Sequence, residues 1–237
     1  MGWNLCKVHP FFIPIPHHLS RKESIMRIFI NPGHALGGRP DPGAVNCEHG
    51  VTEAAINARV AENARIALER CGYETKVVQS HNLRGEAPGY PNVTGLANSW
   101  PADVFVSIHA NAGGGRGCET YAFSMHSWGH ALATTVQQTL WRAVSRIDKS
   151  FPNRGVKVNP DFTVLRRTAM PAILVETAFL DTEEDFQLLV SHAAVFGHAI
   201  ASAIDQFLRA HITPEGDLIF EEDEPAPLMW RYVPATI

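Results

Sequence analysis

The sequence has few cysteines, and none of them forms a short paired motif. Its four cysteines, Cys6, Cys47, Cys71 and Cys118, lie far apart, and no C-x-x-C pair occurs in the 237 residues. This spacing excludes the usual thiolate zinc site and the thioredoxin-like redox motif. Since nothing in the sequence supports a disulfide between any two of them, we expect free and partly buried thiols.

The chain also lacks an excess of positive charge. It contains 20 Lys and Arg against 24 Asp and Glu, which gives a formal net charge of −4. The negative charge is concentrated near the C-terminus, and residues 26–214 are nearly neutral as a group. Because a nucleic-acid-binding protein carries a basic patch or stripe, we expect no nucleic-acid partner.

Long hydrophobic runs are absent as well. No apolar run approaches the roughly 20 residues of a membrane-spanning helix, so we predict no membrane span. Residues 1–25 do not resemble a signal peptide, because their apolar stretch is short, interrupted by prolines and followed by no small-residue cleavage site. We interpret residues 1–25 as an N-terminal appendage, either disordered or upstream of a native start at Met26. Residues 213–237 are acidic and contain several prolines, a composition that favours a disordered tail.

Two common hydrolase motifs are missing from the remaining domain, residues 26–212. The chain has no G-x-S-x-G segment, which disfavours a serine hydrolase of the nucleophile-elbow type. It has no H-E-x-x-H segment either, which disfavours a zinc peptidase with both histidines on one helix.

Within residues 26–212, short apolar runs alternate with longer segments of helical periodicity. Thr52, Ser127 and Thr182 can each begin a long helix, and a shorter helical stretch lies near Ala97. This alternation is typical of an α/β domain. We predict a twisted, mostly parallel or mixed sheet of about six strands with helices on both faces. The predicted strands are Arg27–Asn31, Glu74–Gln79, Asp103–Ile108, Gly117–Phe123, Phe162–Leu165 and Ala172–Val175.

Four side chains capable of metal or acid–base chemistry lie just past strand ends or at a helix start. His34, His109 and Glu176 follow or end three of the strands, and Glu53 lies in the first turn of the first long helix. Since sites in open α/β sheets assemble at the carboxyl ends of strands, we expect these residues to meet around one ion. A catalytic zinc commonly takes two histidines and one glutamate and leaves a position for water. Glu176 would then take the proton of that water.

Each of these residues also has a plain structural explanation. A histidine at a strand end is more often structural or exposed than a metal ligand. A glutamate in a first helical turn, such as Glu53, is usually a surface carboxylate favoured by the helix dipole. Glu176 directly follows an apolar strand and needs a partner or a role, for which a salt bridge to Arg166 or Arg167 is the alternative.

Five segments, in order along the chain, carry a resemblance that bears on this choice. They are NPGHALGGRPDPGAV, GVTEAAIN, ADVFVSIHANA, GCETY and RGVKVNPDFTVLRRTAMPAILVETAFLDTEED. From about Arg27 to Leu208 they resemble the N-acetylmuramoyl-L-alanine amidase family of zinc enzymes. These are the type 3 amidases, which include bacterial cell-separation amidases and phage endolysin catalytic domains. Any one segment is weak evidence, whereas all five in order make the resemblance specific.

The resemblance implies a function for the four residues. His34, Glu53 and His109 would bind one Zn²⁺, and Glu176 would be the catalytic glutamate. The implied reaction is hydrolysis of the amide bond between the lactyl group of N-acetylmuramic acid and L-alanine of the peptidoglycan stem peptide. Two alternatives remain, a zinc peptidase acting within the stem peptide and a non-catalytic peptidoglycan-binding module.

Two further residues are implied as supporting ones. Glu119, in the G-x-E-x-Y strand, would either orient a metal ligand or pair with a nearby base, and Asn111 follows the second zinc histidine. The chain also departs from the family where a threonine-arginine pair and a later arginine are common. Residues 79–84, QSHNLR, and residues 94–96, TGL, occupy these positions instead. We therefore expect substrate contacts or loop bracing that differ from those of the family.

Some relatives carry a long insertion between the G-x-E-x-Y strand and the R-G-V-K segment, which blocks the zinc until a partner displaces it. In this chain a single predicted helix fills most of that interval. We therefore expect an uncovered site that needs no activator, in a monomer. Its substrate would be the cell wall, reached outside the cell or after release by lysis.

Overall fold

The computed structural model of the chain describes residues 25–211. The predictions made for the acidic tail, and for the N-terminal appendage apart from Ile25, lie outside the described residues. Cys47, Cys71 and Cys118 are free thiols, as expected, and Cys6 lies outside the described range.

Eight strands, five α-helices and one short 3-10 helix, Leu36–Gly38, make up this domain. The strands are β1 Arg27–Pro32, β2 Val45–Asn46, β3 Val51–Thr52, β4 Glu74–Val77, β5 Val104–Asn111, β6 Cys118–Ala122, β7 Asn153–Val158 and β8 Ala172–Phe179. The helices are α1 Glu53–Arg70, α2 Val93–Ser99, α3 Trp128–Val144, α4 Thr163–Arg166 and α5 Glu183–His211.

Six of the strands form one mixed sheet in the order β4-β1-β5-β8-β6-β7. Strands β4, β1, β5 and β8 run parallel to one another, β6 is antiparallel to β8, and β7 is parallel to β6. Strands β2 and β3 form a separate antiparallel pair. Buried side chains of α1, α3 and α5 pack on one face of the sheet, and those of α2 and α4 pack on the other. The predicted α/β fold with helices on both faces is confirmed.

Local sequence explains the elements nearest the site. The hydroxyl oxygen of Thr52 accepts a hydrogen bond from the backbone N–H of Ala55 at 3.3 Å and so caps α1. Strand β5 is buried on both faces over Val104–Ile108, as expected of a central parallel strand with a continuous apolar run. Both elements therefore have fixed positions, and each delivers one candidate ligand.

One of the six predicted strands was wrong. Phe162–Leu165 is not a strand, because Thr163–Arg166 forms the short helix α4 with Phe162 at its N-cap. The sixth strand of the sheet is instead β7, Asn153–Val158, which pairs with β6 at one edge. Short apolar runs do not distinguish a strand from a helical turn, and β7 is a polar, half-exposed edge strand without an apolar run.

Helix α5 is long and apolar enough to cross a membrane, judged by length and composition alone. A little over half of its most apolar window, 56%, is buried inside the domain. Its apolar side chains, among them Phe196, Ile200, Ile204 and Phe207, belong to the core beneath the sheet. This is the arrangement of the central helix of a packed domain.

Candidate metal centre

The candidate metal ligands meet at one edge of the sheet. His34 lies two residues beyond the end of β1, Glu53 is the first residue of α1, and His109 lies near the end of β5. Because β1 and β5 are parallel neighbours, their carboxyl ends deliver both histidines to the same edge. Glu176 lies on β8 in direct register with His109. All four residues that the sequence singled out are thus brought together.

Glu53 bridges the two histidines. Its Oε2 lies 2.9 Å from Nε2 of His34, and its Oε1 lies 2.9 Å from Nδ1 of His109. One ligand atom from each of the three residues can be chosen so that all lie within 4.8 Å of one another. Bonds of about 2.0–2.1 Å to a tetrahedral zinc would place neighbouring ligand atoms roughly 3.3 Å apart. The donor set therefore fits Zn²⁺ with little rearrangement.

Asp41, which the sequence reasoning missed, orients the first histidine. Its Oδ2 lies 3.0 Å from Nδ1 of His34, and its Oδ1 accepts a hydrogen bond from the backbone N–H of Gly43. A carboxylate on the ring nitrogen that faces away from a metal is the usual second contact of a metal-binding histidine. Asp41 lies in the P-D-P-G segment, seven residues after His34, and nothing in that segment indicates the contact.

The backbone of the loop after β1 packs closely against the side chains of the cluster. A Cβ atom on Gly43 would lie 2.5 Å from Oε2 of Glu53 and 2.5 Å from the ring of His34. Gly43 has φ +67°, and His34 itself has φ +69°, a left-handed conformation that is uncommon for residues other than glycine. Gln79 braces the loop by donating to the backbone oxygens of Gly33 and Ala54. Such strain is typical of functional sites.

Electrostatics favour a cation at this position. Burial works against a charged His34 ring, but the hydrogen bonds and charges of Glu53 and Asp41 outweigh it and raise the pKa of His34 to about 9. Burial also opposes ionisation of Glu53, yet the contacts with His109 and His34 hold the pKa of this carboxyl far below its ordinary value. In the metal-free protein the ring of His34 therefore holds a proton. Its positive charge takes the place of the charge that a bound metal ion would supply.

Glu176 differs from the other carboxylates of the site, because its Oε2 is buried and has no hydrogen-bond partner among the described residues. Burial raises its pKa to about 7, a change that the charge of His109 opposes and that of Glu53 assists. Within residues 25–211 it forms no salt bridge, so the alternative pairing with Arg166 or Arg167 is not formed. A buried carboxylate that has no hydrogen-bond partner and lies beside a set of metal ligands is suited to accept and donate a proton during catalysis.

Glu119 and Asn111 form a separate hydrogen-bonded group beside Glu176. Oε1 of Glu119 accepts hydrogen bonds from Nδ2 of Asn111 at 3.0 Å and from the hydroxyl of Tyr121 at 2.8 Å. Its Oε2 contacts Arg154 and Lys157. Of the two expectations for Glu119, pairing with a nearby base is the one observed. In the part of the chain that the structure describes, it makes no hydrogen bond to any of the three candidate ligands.

The cluster opens into a cavity of about 360 Å³. Apolar side chains from the loop after β4, from the turn into α4 and from β8 line the cavity together with the candidate site residues. The lining includes His34, Glu53, His109, Asn111, Phe162 and Glu176. Helix α3 occupies most of the interval between β6 and β7, and none of its residues lines the cavity.

Comparison with known proteins agrees with the geometry. A family model described as N-acetylmuramoyl-L-alanine amidase matches residues 28–206. The sporulation-specific N-acetylmuramoyl-L-alanine amidase of Bacillus subtilis is 36% identical over 162 residues, which is 68% of this chain and 59% of that protein. The endolysin of Bacillus phage SPP1 is 30% identical over 209 residues, 84% of this chain and 72% of the phage protein.

A solved structure has the same fold. N-acetylmuramoyl-L-alanine amidase AmiC2 of Nostoc punctiforme superimposes with a TM-score of 0.64 at 29% identity, covering 78% of this chain and 97% of the other. The chain spans less than two thirds of the length of the Bacillus subtilis sporulation amidase. Since the family model covers most of the described domain, the chain belongs to the N-acetylmuramoyl-L-alanine amidase family.

Proposed function

We propose that this chain hydrolyses the amide bond between the lactyl group of N-acetylmuramic acid and L-alanine of the peptidoglycan stem peptide, using one Zn²⁺ per chain. One observation carries the proposal: Glu176, buried and unpaired at Oε2, lies in register beside the His34–Glu53–His109 cluster. Family membership and the names of the relatives support the choice of substrate. An intact set of four residues disfavours a non-catalytic binding module.

His34, Glu53 and His109 would hold the zinc ion, with Asp41 keeping the ring of His34 oriented through Nδ1. When bound, zinc lowers the pKa of a water molecule and polarises a carbonyl group. The chain's own contribution is to present the scissile amide in the cavity, beside the carboxylate of Glu176.

Glu176 would move the proton. In the metal-free protein burial raises its pKa to about 7, and a zinc ion bound beside it would lower that pKa and favour the ionised form that accepts a proton. The Oε2 atom accepts the proton of the attacking water and then delivers it to the departing amine of L-alanine. Since Oε2 has no competing partner in the described part of the chain, it is free for both steps.

Metal content and turnover test this proposal together. The purified protein should contain one zinc per chain and release dye from labelled peptidoglycan, with activity lost to a chelator and restored by zinc. His34→Ala and His109→Ala should lose both metal and activity, whereas Glu176→Gln should keep the metal. A protein that remains fully active after complete removal of zinc would contradict the proposal.

We also propose that the enzyme acts on the cell wall as a monomer and without an activator, from outside the cell or after release by lysis. Support comes from α3, whose buried side chains pack in the core and not in the cavity. Size-exclusion chromatography with light scattering, followed by an assay of the same fractions, should give an active monomer. A protein that is inert until a partner is added would contradict this.

A further inference from the structure

Two basic side chains on the edge strand β7 stand beside the candidate active site. Nε of Arg154 and Nζ of Lys157 each lie 2.5 Å from Oε2 of Glu119. The side chains of Arg154 and Lys157 are 36% and 38% exposed, whereas that of Glu119 is 3% exposed. The two cations therefore reach the surface above a single buried carboxylate.

Glu119 cannot neutralise both of them. It carries one negative charge, and its second oxygen is already occupied by hydrogen bonds from Asn111 and Tyr121. The group of Glu119, Arg154 and Lys157 thus keeps an excess of positive charge on its exposed side.

Arg154 has hydrogen-bond donors that are not used within the described part of the chain. It contacts Glu119 through Nε, and its terminal nitrogens Nη1 and Nη2 have no hydrogen-bond partner among residues 25–211. Its guanidinium carbon lies 4.9 Å from the centroid of the Phe179 ring, which restricts the position of the group. A fixed guanidinium with an open fork is suited to bidentate binding of a carboxylate.

The basic pair is connected to the cavity through Glu119 and Asn111. Glu119 is the antiparallel register partner of Glu176, and Cβ atoms of such partners lie about 4.5–5.5 Å apart. Asn111 lines the cavity and donates to Glu119. Strand β7 lies two strands from β8, a distance of roughly 10 Å. An extended peptide covers that distance in about three residues.

We propose that Arg154 and Lys157 bind a free carboxylate on the second or third residue of the stem peptide, so that the enzyme prefers stem peptides with ionised carboxyl groups to amidated ones. This inference rests on the proposed amide hydrolysis. It assigns the direction of the substrate as well, since the stem peptide then runs from the metal cluster across β8 and β6 toward β7.

The test compares synthetic muropeptides that share one sugar and one stem sequence. One form has free carboxyl groups, one is amidated at the second residue alone, and one at the third residue alone. We expect the kcat/KM of the wild-type protein to be about tenfold higher for the free form than for one of the amidated forms, which is the size of effect expected from one half-exposed, charge-assisted hydrogen bond. Most of this difference should lie in KM. The slower form identifies the bound carboxylate.

Arg154→Gln and Lys157→Gln should each reduce this preference, because they slow hydrolysis of the free form more than hydrolysis of the amidated form. Arg142→Gln, an exposed arginine on α3, is the matched control and should keep the preference. Equal kcat/KM values of the wild-type protein on all three forms would overturn the inference and leave the proposed amidase intact. Failure to hydrolyse any form would instead count against the proposed function. The wild-type comparison decides the matter even if a variant fails to fold.

Discussion

Replacing Glu176 by glutamine removes the proposed proton carrier and leaves the metal cluster in place. Glutamine has nearly the same shape, and Oε2 of Glu176 accepts no hydrogen bond in the described part of the chain that the change would break. We expect the zinc content to stay at one per chain and kcat to fall by about 10²- to 10⁴-fold, the usual contribution of general acid–base catalysis.

The same substitution should change how the stability of the metal-free protein depends on pH. Burial raises the pKa of Glu176 from 4.5 to about 7. Between these values the native state binds a proton that the unfolded chain releases, so the free energy of unfolding falls as pH rises from 4.5 to 7. The difference between the two pKa values corresponds to a loss of about 3 kcal/mol. Glutamine does not titrate, so the variant should lack this loss.

Urea denaturation in the presence of a chelator measures the effect, because a bound cation would itself lower the pKa of the neighbouring carboxyl. The stability of Glu176→Gln relative to the wild-type protein should be about 3 kcal/mol greater at pH 8 than at pH 4, as the pKa difference implies. Glu184→Gln, at an exposed position on α5, is the control and should show no such change. An identical pH dependence for Glu176→Gln and the wild-type protein, or full activity of the variant, would refute the reasoning.

Three further predictions concern the parts that support the centre. Asp41→Asn removes the carboxylate on Nδ1 of His34 and should weaken zinc binding by about 10- to 100-fold in a chelator competition assay; unchanged affinity would contradict that role. Because the pKa of metal-free His34 is raised to about 9, zinc must displace its proton, and affinity should fall about tenfold per pH unit below that value. Calorimetry in buffers of different ionisation enthalpy should detect the released proton. Asp185 is fully buried and accepts hydrogen bonds from Arg116 and two backbone N–H groups, so Asp185→Ala should lower the free energy of unfolding by about 3–5 kcal/mol. Asp181→Ala, at an exposed position, should cost much less in the same urea titration.

The sequence predicted an element correctly where a capping residue or a continuous apolar run marked it. Thr52 predicted the start of α1, and the continuous apolar run of β5 predicted a central strand. Because His34 and His109 follow or end two predicted strands and Glu53 begins a predicted helix, their meeting at one edge of the sheet could be proposed from the sequence. The burial of Glu176 could also be expected from its position directly after an apolar run, whereas its lack of a salt bridge could not.

Other features depend on contacts between distant segments and were not predictable in the same way. Strand β7 is polar and half-exposed, and it exists because β6 pairs with it. Its basic residues Arg154 and Lys157 meet Glu119 only after that pairing. Asp41 contacts His34 because the intervening loop folds back on itself. No periodicity in the sequence reports contacts of this kind.

Mass spectrometry of the products released from purified peptidoglycan identifies the bond that is cut. We predict intact stem peptides with a free L-alanine amino group, together with glycan strands whose N-acetylmuramic acid carries a free lactyl carboxylate. Each cleavage adds one water across that bond, and a chelator should abolish both products. Fragments cut within the stem peptide, with the lactyl–alanine bond still intact, would contradict the account.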